Sequence, residues 1–209
     1  MTSNKEYQKR LHELIPGGAH TYSRGDDQYP ENAPAILERG KGAYVWDAQG
    51  NKLLDYGMGL RSITMGYDQD EISEAGIAEI KKGLNLTRAS LTELKAAELM
   101  ISLFPWAQMV KFGKNGSTVT TAAIKLSRAY TGRKHVAMCA EHPFFTYDDW
   151  FIGTTPMDKG IPQESKGFSH RFHYNDIGSL EKVFAENTGQ IACVILEPTT
   201  FISPCPETK

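Results

Sequence analysis

Val110-Lys-Phe-Gly-Lys-Asn-Gly-Ser-Thr-Val-Thr-Thr-Ala-Ala-Ile-Lys-Leu-Ser-Arg-Ala-Tyr-Thr-Gly-Arg133 is the stretch on which the reading of the fold turns. A β-prone run ends at Phe112, a small polar turn follows at Asn115-Gly116-Ser117, and Val119, Ala122, Ala123, Leu126 and Tyr130 recur at helical spacing as one apolar face. The expected order is strand, tight turn and helix N-terminus. Such a helix start leaves backbone N–H groups unpaired at the positive end of the helix dipole, and a glycine lets a phosphate come close to the backbone. A Gly-Ser turn before a helix serves equally well as a plain N-cap, so the residues alone leave both uses open. The glycine spacing matches neither the Walker loop nor the dinucleotide fingerprint.

Working outward, short β-like runs at 109–112, 135–139 and 191–196 alternate with helical patterns at 117–130 and 179–186, which implies an α/β fold with a mostly parallel sheet. Upstream, β-prone runs flank the turn signal Gln49-Gly50-Asn51, so a hairpin or small antiparallel sheet is expected between Ala35 and Tyr56. Two helices should follow. One covers 70–82, with Ile72, Ala75, Gly76 and Ile80 at helical spacing. The other begins at the capping box Ser90-Leu-Thr-Glu93, ahead of Leu94, Ala97, Ile101 and Phe104. The expected organisation is an N-terminal segment, 1–62, carrying the antiparallel hairpin, and an incomplete large α/β domain, 63–209.

With 209 residues, 40% apolar and 23% charged, the chain can bury a sizeable core. A formal charge of −2 offers no basic field for a phosphate backbone, so nucleic acid is not an expected partner. The apolar run 191–196 is far short of a membrane span, and the polar start Met1 to Arg10 lacks the apolar core of a signal peptide. A cytoplasmic location is expected, in keeping with three cysteines, Cys139, Cys193 and Cys205, that form no close pair. His135, Cys139 and His142 lie close together in the sequence, yet no metal is expected: on a strand, His135 and Cys139 lie roughly 13 Å apart, too far for one zinc ion. His170 and His173 follow a glycine-containing loop and read as surface residues.

The block from Phe112 to Arg133 resembles the class III aminotransferases of pyridoxal-phosphate fold type I, in which a strand enters a small-residue turn and a helix ends in Arg-Ala-Tyr-Thr-Gly-Arg. In that family the turn holds the phosphate of pyridoxal 5′-phosphate, which places Asn115, Gly116 and Ser117 on it. Thr118 stands where the family usually has an acidic residue. Pro16-Gly-Gly-Ala-His-Thr-Tyr-Ser-Arg24 is similar to the signature of the glutamate-1-semialdehyde aminomutase branch, whose arginine binds the substrate carboxylate. Arg24 is the matching position, although a lone loop arginine is otherwise a solvated charge. Tyr44-Val-Trp-Asp-Ala-Gln-Gly-Asn-Lys-Leu-Leu-Asp-Tyr56 resembles the hairpin before the large domain.

Glu141-His-Pro-Phe-Phe-Thr-Tyr-Asp-Asp-Trp150 falls where the family has Tyr-His-Gly, so that Phe144 takes the place of the ring that stacks on the cofactor. Phe145 and Thr146 then replace the family histidine and glycine. Read without the resemblance, the same residues are an aromatic core cluster. Cys193-Val-Ile-Leu-Glu-Pro198 resembles the strand whose Glu-Pro end lies beside the cofactor, which marks Glu197, a residue equally able to cap a neighbouring helix.

The resemblance also implies what is not here. The catalytic lysine and the aspartate facing the pyridine nitrogen lie after the Glu-Pro strand in this family, so the Schiff-base lysine is expected beyond Lys209. None of Lys111, Lys114, Lys125 and Lys134 matches its position. The expected whole protein moves an amino group between small molecules and is a homodimer with residues 58–65 at the interface. By itself the 209-residue chain is expected to be inactive, and a non-catalytic homologue serving as a binding or dimerisation module is the alternative.

Overall fold

The computed structural model describes residues 2–199 and 202–205, which divide into two compact units, 1–90 and 91–209. The helix at 70–80 thus groups with the N-terminal unit, whereas the sequence division after residue 62 put it in the large domain.

In the first unit, α1 (Asn4–Leu14) starts at Ser3, whose hydroxyl accepts the Glu6 N–H. Three short turns, Pro16–Gly18, Tyr22–Arg24 and Asp26–Gln28, lead to strands β1 (Leu37–Lys41), β2 (Tyr44–Asp47) and β3 (Lys52–Leu54). These pair antiparallel in the order β1-β2-β3, the expected small sheet. The Asp47 carboxylate closes the β2–β3 turn by accepting the Gln49 and Asn51 backbone N–H groups and the Asn51 side-chain amide at 2.8–2.9 Å. Its hydrogen bond from the Asn51 side chain holds the carboxyl below its usual range.

The helical turn α2 (Met58–Arg61) is left-handed throughout, with φ of 46°, 56°, 59° and 68°. Three of its four residues carry a Cβ and cost roughly 1–2 kcal/mol each in that conformation. Asp55 restrains the turn, accepting the Gly57 N–H at 2.8 Å, the Gly59 N–H at 3.3 Å and the Tyr67 hydroxyl at 2.6 Å. Helix α3 (Asp70–Ile80) follows.

The second unit contains α4 (Leu91–Leu103), α5 (Gly116–Thr131), β4 (His135–Cys139), α6 (Asp149–Ile152), α7 (Gln163–Lys166), β5 (Ser169–Phe172), α8 (Ile177–Glu186) and β6 (Ile191–Ile195). Its sheet runs β5-β4-β6 with both pairings parallel, as the alternation implied. The two faces of β4 seed the core. Val136 and Met138 pack with Ile124, Trp150 and Phe151, while Ala137 and Cys139 pack with Phe172, Val183 and Ile191.

The structure corrects three sequence expectations. Residues 109–112 form no strand, because a strand needs a ladder neighbour and no described segment offers one; Met109 is 88% exposed. The segment 169–172 is a strand, since the open edge of β4 accepts it, and its histidine is not a surface group: His170 lies half-buried against His135. The face of α5 that packs on the sheet carries Thr121 and Ile124 rather than the apolar stripe, which leaves Leu126 71% and Tyr130 90% exposed. Thr121 is tolerated inside because its hydroxyl lies 3.3 Å from that of Thr146 and accepts the Trp150 indole N–H at 3.1 Å.

Candidate functional site

The start of α5 is built by one side chain. Asn115 adopts an extended N-cap conformation, and its Oδ1 accepts the Thr118 N–H at 2.9 Å and the Thr118 hydroxyl at 3.0 Å. The Asn115 side chain is therefore committed to capping. The backbone N–H groups of Gly116 and Ser117 and the Ser117 hydroxyl find no acceptor among the described residues. A Cβ built on Gly116 meets nothing within 4 Å. Open space thus adjoins three unclaimed donors at the positive end of a 16-residue helix, a geometry suited to a phosphate group.

Threonines tie the loop after β4 to this helix start. The Thr120 hydroxyl reaches the Phe145 carbonyl at 3.3 Å, and Thr121 holds Thr146 and Trp150 as described. Phe145 is the inward ring, packed against Trp150, Phe151 and, at 4.8 Å between centroids, His142. Phe144 lies edge-on to Phe151 and is 60% exposed, so its ring remains available to cover a ligand. The end of β6 joins the same region: the Glu197 N–H donates to His142 Nε2 at 3.1 Å.

His142 entered the sequence analysis only through its nearness to His135 and Cys139. Because Nε2 accepts, the ring proton sits on Nδ1, which is buried and has no partner among the described residues. Burial lowers its basicity, against an opposing pull from Glu197 and Glu141. The ring is therefore a neutral donor facing no acceptor of its own. Nothing in the single sequence distinguished it from a surface histidine.

Glu141 was likewise unassigned. Its carboxylate accepts His173 Nδ1 at 2.7 Å, the Tyr174 N–H at 3.0 Å and the Cys139 thiol at 3.3 Å. Burial pushes its carboxyl up, yet these donors more than offset that and bring it down to about 2 from an ordinary 4.5. A depressed carboxyl stabilises the fold fully above about pH 4.5, and this contribution is lost as the pH falls towards 2. The full shift corresponds to roughly 3 kcal/mol, and solvent around the exposed His173 ring reduces it. Glu141→Gln is expected to cost about 1–2 kcal/mol at pH 7 and much less near pH 3, as read from denaturant midpoints at both values.

His135 bonds to His170 and Asn187, Cys139 to Glu141 and His142 to Glu197, so the three groups weighed for a metal have separate partners. In the first unit, Arg24 lines a cavity of about 610 Å³ together with His12, Asp26, Asp55 and Tyr67 and the apolar Leu37, Leu53 and Leu54. Among the described residues its guanidinium has no ion-pair partner. No helix is long and apolar enough to cross a membrane among the described residues.

The family model of the class-III aminotransferases matches residues 26–200. A glutamate-1-semialdehyde 2,1-aminomutase of Aquifex aeolicus is 30% identical over 206 residues, covering 95% of this chain and 48% of that enzyme. A 3-aminobutyryl-CoA aminotransferase of Cloacimonas acidaminovorans is 32% identical, covering 89% and 44%. Among solved structures, a PLP form of the Sphingopyxis sp. MTA144 FumI protein is 31% identical with a TM-score of 0.85, covering 95% and 47%. The chain spans about half the length of the curated relatives that it matches. With the parallel sheet, the capped turn and a family match over most of its length, the chain belongs to the class-III aminotransferase family.

Proposed function

We propose that the protein carrying this chain is a pyridoxal-phosphate-dependent aminotransferase or aminomutase, and that the start of α5 holds the phosphate of the cofactor. The observation that carries this reading is the set of unclaimed donors at Gly116 and Ser117 beside the open space at Gly116. Two backbone N–H groups and a hydroxyl fit a dianionic phosphate, and the Asn115 cap keeps them pointed outward. Bound there, pyridoxal phosphate supplies an electron sink at the carbon that bears the amino group. Phe144 offers a ring face to cover the cofactor, and Phe145 with Trp150 closes the floor against water. Glu197 enters through the end of β6, next to the neutral His142.

The catalytic lysine is proposed to lie beyond Lys209, so that these 209 residues alone hold the phosphate without turnover. Assembly as a homodimer, with the left-handed turn near Met58 in the interface, completes the reading.

Arg24 is proposed to bind the substrate carboxylate, supported by its unpaired guanidinium beside an apolar wall. A charge-assisted pair is worth about 1.5–3 kcal/mol, or roughly ten- to a hundredfold in binding. In the whole protein, amino transfer should depend on added pyridoxal phosphate, and Arg24→Ala should raise KM for a carboxylate substrate by that order while leaving cofactor affinity in place. Unchanged KM in the variant would remove the aminomutase-like carboxylate site, and the absence of cofactor-dependent transfer in wild type would remove the function itself.

A further inference from the structure

At the N-terminal end of β4, the end away from the loop that carries Phe144 and Phe145, His135 and His170 form a pair that the amino-transfer reading does not use. His135 opens β4, and its side chain lies on the same face as Ala137, whose ladder partner across the sheet is His170. The two rings stack at 4.9 Å between centroids and 17° between planes, with His135 Nδ1 2.7 Å from His170 Nε2. His135 Nδ1 also lies 3.1 Å from Asn187 Oδ1, at the C-terminal end of α8.

This geometry fixes the protons. The Asn187 amide nitrogen donates to the Val183 carbonyl at 2.9 Å, so Oδ1 is the atom turned to the ring. An amide oxygen only accepts, hence His135 carries its proton on Nδ1 and shares it between Asn187 and His170. His170 must accept at Nε2 and hold its own proton on Nδ1. A second proton arriving at His170 Nε2 would face the His135 N–H across 2.7 Å, two donors with no acceptor between them.

We propose that the His135–His170 pair, closed by Asn187, is an acid-released latch that pins β4, β5 and the end of α8 near neutral pH and lets go when His170 takes up a proton.

The charged and titratable surroundings are few. From β4 comes His135, which opposes protonation, and from the last turn of α8 comes Glu186, which favours it and lies 3.8 Å from Lys182. From β6, His135 meets the apolar Ile191, whose carbonyl accepts from Arg133 at 3.1 Å. Burial first and His135 second hold His170 below the ordinary imidazole value of 6.5. For such a base the unfolded chain binds the proton more readily. The contribution to stability is therefore complete above about pH 6.5, falls as the pH drops through that value, and levels off below the folded value.

The test is hydrogen exchange of the whole protein at pH 7.5 and pH 5.5, corrected for the intrinsic chemical rate. In wild type, amides of β5 and of residues 183–190 should exchange about tenfold faster at pH 5.5. In His170→Gln, whose amide oxygen still accepts from His135 but does not titrate, that acceleration should vanish. Acid opening by His142 would instead appear in residues 141–148, so the two are separable by position. A second readout needs no variant: the ring resonances of His170 should titrate below the ordinary imidazole value of 6.5, with Nε2 unprotonated at neutral pH. An acceleration that survives in His170→Gln, or a His170 that titrates at its ordinary value, would overturn the proposal.

Discussion

Gly116→Phe in the whole protein is expected to lower pyridoxal-phosphate affinity by roughly a hundredfold to ten-thousandfold. Each charge-assisted bond from the Gly116 and Ser117 donors is worth about 1.5–3 kcal/mol, and a side chain at Gly116 fills the space through which the phosphate reaches both. The fold should not suffer. A Cβ at Gly116 meets no protein atom, its φ is not in the left-handed region, and a non-glycine residue is intrinsically more helix-prone there. Loss of affinity without loss of the unfolding midpoint of the cofactor-free protein is therefore the expected pair of readings, from equilibrium titration and thermal denaturation. Unaltered affinity would leave Asn115-Gly116-Ser117 as a helix cap and nothing more.

Trp150→Ala is the largest expected stability effect. The indole is 3% exposed, packs with Phe145 and Phe151, and donates its N–H to Thr121 on α5. Removing a buried tryptophan costs about 3–5 kcal/mol through lost burial and the cavity that remains. Its position adds a local consequence, because the loop bearing Phe144 and Phe145 is held to α5 through Thr121, Thr146 and Trp150. Thr121→Val, which removes the acceptor and keeps the volume, should cost about 1–3 kcal/mol for the stranded indole N–H. Denaturant midpoints of the two variants, compared with wild type, read both effects. Equal and negligible losses would mean that the aromatic cluster does not hold this loop.

Local chemistry was legible in the sequence wherever it decides structure alone. The turn and helix start at Asn115-Gly116-Ser117, the turn at Gln49-Gly50-Asn51, the helical spacing of 70–80 and the alternation of runs and helices along 116–195 each act over a few residues. What the sequence did not disclose depends on neighbours. Residues 109–112 are β-prone but have no described strand beside them, whereas Ser-His-Arg-Phe at 169–172 is an unpromising strand that exists because β4 has an open edge. The inward face of α5 was misread because hydrophobicity points to Leu126 and Tyr130, while the partners that satisfy Thr121 come from residues 146 and 150.

The candidate site divides in the same way. Gly116 and Ser117 were identified through the resemblance, and their unclaimed donors support that assignment. Asn115 was assigned to the phosphate as well, and its side chain is occupied by the cap. His142 and Glu141 went unassigned because their roles arise from groups 32 to 55 residues away, namely His173, Tyr174 and Glu197. Only the fold brings these together.

The most direct measurement compares the affinity of the whole protein for pyridoxal phosphate and for pyridoxal, in wild type and in Gly116→Phe. Any lysine contributes equally to both ligands, so the ratio of the two affinities isolates the phosphate. The ratio should be large in wild type and collapse towards one in the variant. A ratio that is the same in both proteins would contradict a phosphate seat at the start of α5.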